Sequence, residues 1–422
     1  MTRGFHRLVV AQFLSGLADH ALLLVALAFL LEQGFALWWA PLLKFAFTLS
    51  FVALAPLIGE LTDAFPKQRV MFWTQCLKLT GVAGFLVGLH PLVAFALVGA
   101  GAACYSPAKY GWVTEQVRSA DLVKANGWLE VSMVCAVLLG TVGGGWLISG
   151  AWDWTAAMPF VELITPTRLI WAFAILILAY IASAALTLSL GGSLPRRACN
   201  PIRPFQMFGD FARANMRLWR DPLASLSLIA TCLMWGSSVV MQLAVLHWGT
   251  EVMGMTLDQS AYLQAVVAIG IVIGAVLVSR RITMRRAVNV WPMGLLMGML
   301  LPLAAWIETW QWAVPVILLV GVLGAVIVVP MNALLQYRGY KLLRPGLSIA
   351  AQGFGENISI LVMLALYWAL LSNGASIASI MIGLGLLVTI LMAFLGWRVH
   401  RLQGRRSTEP QAGYAKGFPS SP

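Results

Sequence analysis

The chain reads as an all-α membrane protein, with twelve transmembrane helices in two six-helix pseudo-repeats. Three observations predict this. Of its 422 residues, 60% are hydrophobic and 10% charged, against roughly 25% charged in soluble domains. Twelve separate apolar runs can be marked along it, each close to the ~20 residues that a spanning helix needs. Short polar strings also recur in the same order in its two halves. The expected divisions are an N-terminal six-helix half over 1–190, a cytoplasmic linker over 191–222, a C-terminal six-helix half over 223–400 and a disordered cytoplasmic tail over 401–422.

The first run, 8–31, sets the terms for the rest. Asp19 sits near its centre with His20 beside it, and a charge at mid-depth costs at least ~2.5–3.5 kcal/mol. Gln12, Ser15, Gly16 and Asp19 recur at helical spacing and so share one face. That face should look onto a protein interior or a wet cavity. The second run, 38–62, carries Lys44 in its outer half, and the third, 70–89, carries Lys78. Between them stand Gly59-Glu60-Leu61-Thr62-Asp63, then Lys67 and Arg69. This string is either a solvated turn or a structural element in which Asp63 caps or pairs across helix ends.

The fourth run, 91–112, contains Gly101, Pro107 and Lys109, and the tenth, 312–335, repeats that spacing with Gly324, Pro330 and Asn332. The fifth, 126–148, opens on Ala125-Asn126-Gly127 with Glu130. The eleventh, 350–371, opens on Ala351-Gln352-Gly353 with Glu356. Each match alone is weak, because Gly and Pro are common in membrane helices; their shared order is the signal. The sixth to ninth runs cover 168–190, 223–248, 260–279 and 287–307. Ser372-Asn373-Gly374 reads as a tight turn before the twelfth, 375–397. Beyond Arg406 the tail is rich in Pro, Gly and Ser, a composition that disfavours folding.

The net charge of +12 would suit nucleic acid, but its distribution argues otherwise. Most Lys and Arg fall at the termini or in alternate loops: Lys67/Arg69, Arg118/Lys124, Arg196 to Arg220, Arg280 to Arg286 and Arg338 to Arg344. The other loops carry Glu32, Asp153, Glu162, Glu251, Asp258 and Glu308, with Arg168 as their basic residue. By the positive-inside rule both termini are cytoplasmic, and no nucleic-acid partner is expected. Trp38, Trp39, Trp152, Trp154, Trp248, Trp306, Trp310 and Trp312 gather at the outer ends, as an interfacial belt would. The first run has mid-run polar residues and eleven spans after it, so it is not read as a cleaved signal. Five cysteines (Cys76, Cys104, Cys135, Cys199, Cys232) form no CxxC pair, so neither disulfide nor metal is expected.

Catalytic signatures are missing. There is no Gly-x-x-x-x-Gly-Lys-Ser/Thr loop for a nucleotide, and none of the five histidines has an Asp five positions on. The chain is expected to be neither an enzyme nor a cofactor binder. The intramembrane polar residues are the better candidates. Asp19 and Lys78 either form a structural pair, as buried charges normally do, or take part directly in binding or switching; the two roles are compatible. Lys109 and Glu130 near the cytoplasmic ends of neighbouring spans suit an inner gate or a static packing bond, with Asn332 and Glu356 as second-half counterparts. His20 and His247 suit interior hydrogen bonding more readily than a proton relay. Gln242, Asn332, Gln336 and Gln352 give the second half neutral polar groups.

Several strings resemble the bacterial lysophospholipid transporter family of the major facilitator superfamily. They are Ala11-Gln-Phe-Leu-Ser15 leading to Asp19, Tyr105-Ser-Pro-Ala-Lys-Tyr-Gly111, Leu122-Val-Lys-Ala-Asn-Gly127, Val266-Val-Ala-Ile-Gly270, Asn332-Ala-Leu-Leu-Gln336 and Gly355-Glu-Asn357. The resemblance runs from the first span to the eleventh. It implies a twelve-helix inner-membrane flippase bringing lysophosphatidylethanolamine and related lysolipids from the outer to the inner leaflet. A separate acyltransferase/acyl-carrier-protein synthetase would then restore the second acyl chain; some relatives carry that enzyme fused, and this chain is not expected to.

On this reading Asp19, His20, Lys44, Lys78, Tyr105 and Gln242 are the substrate-binding or switching residues, and Lys109, Glu130, Asn332 and Glu356 the gating ones. Gly59, Asp63, Lys67 and Arg69 form the cytoplasmic loop motif of the superfamily, with the basic residues later than usual. Two departures bear on headgroup preference. His20 stands where the family has Asn, and Gln242 where an Arg is expected, and an amide cannot match phosphate bidentately as a guanidinium does. The alternative is a major facilitator transporter of drugs or small solutes.

Overall fold

A computed structural model describes residues 2–35, 39–149, 167–191 and 204–408. Regular structure among them is helical throughout. The helices are α1 (Arg3–Glu32), α2 (Trp39–Ala64), α3 (Lys67–Leu86), α4 (Pro91–Gln116), α5 (Leu122–Ile148), α6 (Thr167–Leu188), α7 (Pro204–Arg220), α8 (Pro222–Glu251), α9 (Leu257–Arg281), α10 (Trp291–Ala304), α11 (Trp310–Leu342), α12 (Pro345–Ser372) and α13 (Ile377–Thr408). Short 3₁₀ turns at Ser119–Asp121 and Met284–Val290 lead into α5 and α10.

Eleven of these helices are long and apolar enough to cross a membrane. The exception among the twelve expected spans is α3, where Lys67, Gln68, Arg69, Gln75 and Lys78 interrupt the apolar run. It packs against α4 and α6 within its half, where Lys67, Gln75 and Lys78 have protein partners, and it completes the twelve. The remaining helix, α7, lies in the connector, for which the sequence reading named no helix. At the other end α13 continues to Thr408, which corrects the expectation of disorder from 401; residues 409–422 lie outside the described part.

Local chemistry sets the helix ends. Asp221 caps α8 by accepting from the Leu223 and Ala224 amides at 3.2 and 2.8 Å. Thr256 and Gln259 form a reciprocal capping box at the start of α9. Gly374, at φ 79°, closes the turn between α12 and α13, a left-handed conformation open to glycine at no steric cost.

Contacts divide the chain into two compact units. One comprises Met1–Gln116, Ser132–Ala214 and Arg344–Gly353; the other comprises Val117–Val131, Asn215–Leu343 and Phe354–Pro422. The first unit has a core of Leu22, Val25, Phe29, Phe85, Phe95, Phe173 and Tyr180, in which Phe29 meets Phe85 and Phe173 edge-on at 6.0 and 5.9 Å. Such pairs add about 0.5–1.5 kcal/mol beyond their area. In the second unit α9 packs on α11, and α10 on α13.

Side-chain exposure is inverted relative to a soluble protein. Val142, Leu178, Trp368 and Ile390 are exposed, while Thr74, Gln75, Lys78 and Lys109 are buried, as expected where the surroundings are lipid. Trp306, Trp310 and Trp312 are exposed as a belt requires, but Trp248 is fully buried. That corrects its assignment to the belt: it falls on the face of α8 that also buries Met241, Ala244 and Val245. Trp38, Trp152, Trp154, Asp153, Glu162 and Cys199 lie outside the described residues, as do the side chains of Trp39, Arg168 and Asp258.

Candidate functional site

The polar face of α1 meets α3 and α6 inside the first unit. Lys78, buried on α3, directs its ammonium at three oxygens: Asp19 Oδ2 at 2.6 Å, Asp19 Oδ1 at 2.9 Å and Ser15 Oγ at 2.9 Å. The Tyr180 hydroxyl donates to Asp19 Oδ1 at 2.7 Å. The Ser15 hydroxyl donates to Gln75 Oε1 at 3.3 Å, the Gln75 amide to Ser183 Oγ at 3.1 Å, and Ser183 to the Ala11 carbonyl at 2.8 Å. Helical spacing explains the convergence. Ser15 and Asp19, Gln75 and Lys78, and Tyr180 and Ser183 are three or four apart on their own helices, so each pair shares a face.

Electrostatically the cluster is closed on one side and open on the other. Lys78 is 1% exposed and lies between the rings of Tyr105 and Tyr180, 5.7 and 5.6 Å from their centroids. Asp19 keeps 16% of its side chain exposed. His20 is half-buried beside it, within electrostatic range of Asp19, Lys44 and Lys78, and Lys44 on α2 is exposed. Five of the six expected binding residues therefore gather in one unit. The sixth, Gln242, is exposed on α8 in the other, its carbonyl accepting from the Gln264 amide at 2.9 Å. The Tyr105 hydroxyl is buried with no hydrogen-bond partner among the described residues.

The loop motif forms a second constellation in the first unit. Asp63 is fully buried and accepts from the Gly346 and Leu347 amides at 2.9 and 3.1 Å, capping α12. Lys67, also buried, donates to the Thr62 carbonyl at 2.6 Å, and lies 3.3 Å from Asp63 and 3.8 Å from Glu115. The approach needs glycine: a Cβ on Gly59 would lie 2.9 Å from Leu347 Cα, and one on Gly346 2.2 Å from Thr62 Oγ1. Arg69 is exposed.

The gating candidates divide between the two units. Lys109 is buried in the first unit with its ammonium 4.2 Å from the Tyr110 ring centroid. Glu130, Asn332 and Glu356 belong to the second. There Asn126 and Gln336 exchange amide hydrogen bonds at 3.0 and 2.8 Å, Arg338 pairs with Asp221, and the Tyr367 hydroxyl lies 2.8 Å from His247 Nδ1. The described cysteines are unpaired by disulfide.

Gln75, Tyr180 and Ser183 escaped the sequence reading. The signal that would have found them is a polar residue three positions from another in an apolar run, as in α1.

Residues 8–364 match the Major Facilitator Superfamily. The chain is 36% identical over 404 residues to "Lysophospholipid transporter LplT" of Shigella flexneri, covering 93% of this chain and 95% of that one. It is equally similar over 407 residues to the protein of that name from Photorhabdus laumondii, covering 96% and 97%. Among solved structures it resembles the human organic anion transporter MFSD10 (TETRAN), with a TM-score of 0.71 at 16% identity over 93% of this chain and 100% of that one. It also resembles the bacterial symporter FucP in an outward conformation, with a TM-score of 0.69 at 16% identity over 94% and 99%. At such identity these structures speak to the fold alone.

Proposed function

The chain belongs to the major facilitator superfamily and, within it, to the lysophospholipid transporters, and from that premise we propose that it moves lysophospholipids across the inner membrane. The direction is from the outer leaflet to the inner, where a separate acyltransferase re-acylates them. Both termini face the cytoplasm on this reading. Transport proceeds by alternating access, the mode in which halves of this fold rock about a central site.

The observation that carries the reading is the Asp19 cluster. A lysolipid brings an ammonium, a phosphate and one acyl tail. Asp19 offers a carboxylate edge for the ammonium. Lys78 has all three N–H donors engaged, so its part is to pair with Asp19 and orient it. The phosphate falls to the accessible cation, Lys44, with His20 beside it. The apolar faces around the cluster suit the tail.

The test is uptake in cells. Labelled lysophosphatidylethanolamine supplied from outside should be converted to the diacyl lipid when the chain is present, and unlabelled lysolipid should compete. Unchanged conversion after deletion of the gene would overturn the proposal.

A further inference from the structure

The connector helix α7 carries none of the candidate site residues, and its surface has three distinct strips. Met207, Phe211, Ala214 and Leu218 follow one another at helical spacing and are buried. Phe208, Met216 and Trp219, with Ala212 between them, form a second strip and are exposed. Arg213, Arg217 and Arg220 form a third, also exposed. At 100° per residue the apolar strip lies about a third of a turn from the buried one, and the basic strip about a third of a turn further. Asp210 pairs with Arg213, so the basic strip keeps a net charge of +2 (three arginines less one aspartate).

Position fixes what this surface meets. One residue, Asp221, separates α7 from the spanning helix α8, and Asp221 is itself held by the first amides of α8 and by Arg338. The Trp219 end of α7 is therefore at the level where a span begins. A helix with one flank on protein, an aromatic strip and a basic strip is built to lie in a bilayer interface. There apolar rings enter the acyl boundary and arginines reach the phosphates. We propose that α7 is an interfacial helix that binds the anionic phospholipids of the leaflet on which it lies, through Phe208, Met216 and Trp219 below and Arg213, Arg217 and Arg220 at headgroup level. This surface is independent of the transported substrate.

The test uses the full chain with its five cysteines replaced by Ser and Met216→Cys carrying a bimane label, reconstituted in phosphatidylcholine with and without phosphatidylglycerol. Doxyl groups near the lipid headgroup should quench the label, iodide in water should not, and the doxyl quenching should rise with phosphatidylglycerol. The triple variant Arg213→Gln/Arg217→Gln/Arg220→Gln should lose that rise while keeping the parent's thermal unfolding. Iodide quenching without doxyl quenching in both membranes would overturn the proposal and leave the strip to a protein partner. Doxyl quenching independent of lipid charge in the parent, a comparison needing no arginine variant, would overturn the anionic selectivity.

Discussion

Lys78 cannot change partners cheaply. Its ammonium is 1% exposed, and removing one member of such a buried pair strands the other at about 3–5 kcal/mol. Asp19→Ala should therefore both abolish transport and lower the thermal unfolding temperature. The double variant Asp19→Ala/Lys78→Ala should recover the temperature and not the transport, because no charge is left stranded and no carboxylate remains to bind. Recovery of flux in the double variant would reduce the pair to a structural bond. Tyr180→Phe removes one hydrogen bond to Asp19 and should cost about 1 kcal/mol, read as a smaller shift in unfolding temperature with a weakened apparent affinity for lysolipid. The pair was legible in the sequence because a charge in the middle of an apolar run demands an explanation. Gln75, Ser183 and Tyr180 were not, since amides, hydroxyls and tyrosines are common enough in spans to raise no alarm until another helix is brought against them.

Among the elements, the junction of α2 with the opening of α12 joins residues 283 apart in sequence through one carboxylate and two amides. Asp63 satisfies amides that no intrahelical carbonyl can reach, so Asp63→Ala should cost about 0.5–2 kcal/mol, measured as a lowered unfolding temperature in detergent. An unchanged temperature would remove capping from its role. Gly346→Val should be worse than Asp63→Ala, because the added atoms meet Thr62 Oγ1 rather than merely losing a bond. The string from Gly59 to Arg69 announced that something was built here. Its partner was hidden, because nothing in Pro345-Gly346-Leu347 marks a helix start that accepts a foreign cap. The helix α7 was hidden differently: its period is helical, but a connector flanked by Pro and Arg reads as loop when judged by composition.

At the scale of the whole molecule, the apolar runs, their number and the echo between halves were all visible in the chain, because lipid forces every backbone amide into a helix and leaves hydropathy as the map. The exception is α3, where inward-facing polar residues depress hydropathy although the helix is 20 residues long. Orientation is open to direct test: a cysteine at Glu308, in a background without the native cysteines, should react with an impermeant thiol reagent from outside, and one at Arg281 should not. The reverse pattern would invert the assignment of leaflets. The central claim is selection for lipids with one acyl chain, since a second chain needs another row of apolar cover at ~0.8 kcal/mol per methylene. It is tested most directly with the purified protein in liposomes, by comparing leaflet-to-leaflet movement of lysophosphatidylethanolamine and diacyl phosphatidylethanolamine. The account predicts acceleration of the one-chain lipid alone, lost in Asp19→Ala/Lys78→Ala; equal rates for the two lipids, or none above protein-free liposomes, would contradict it.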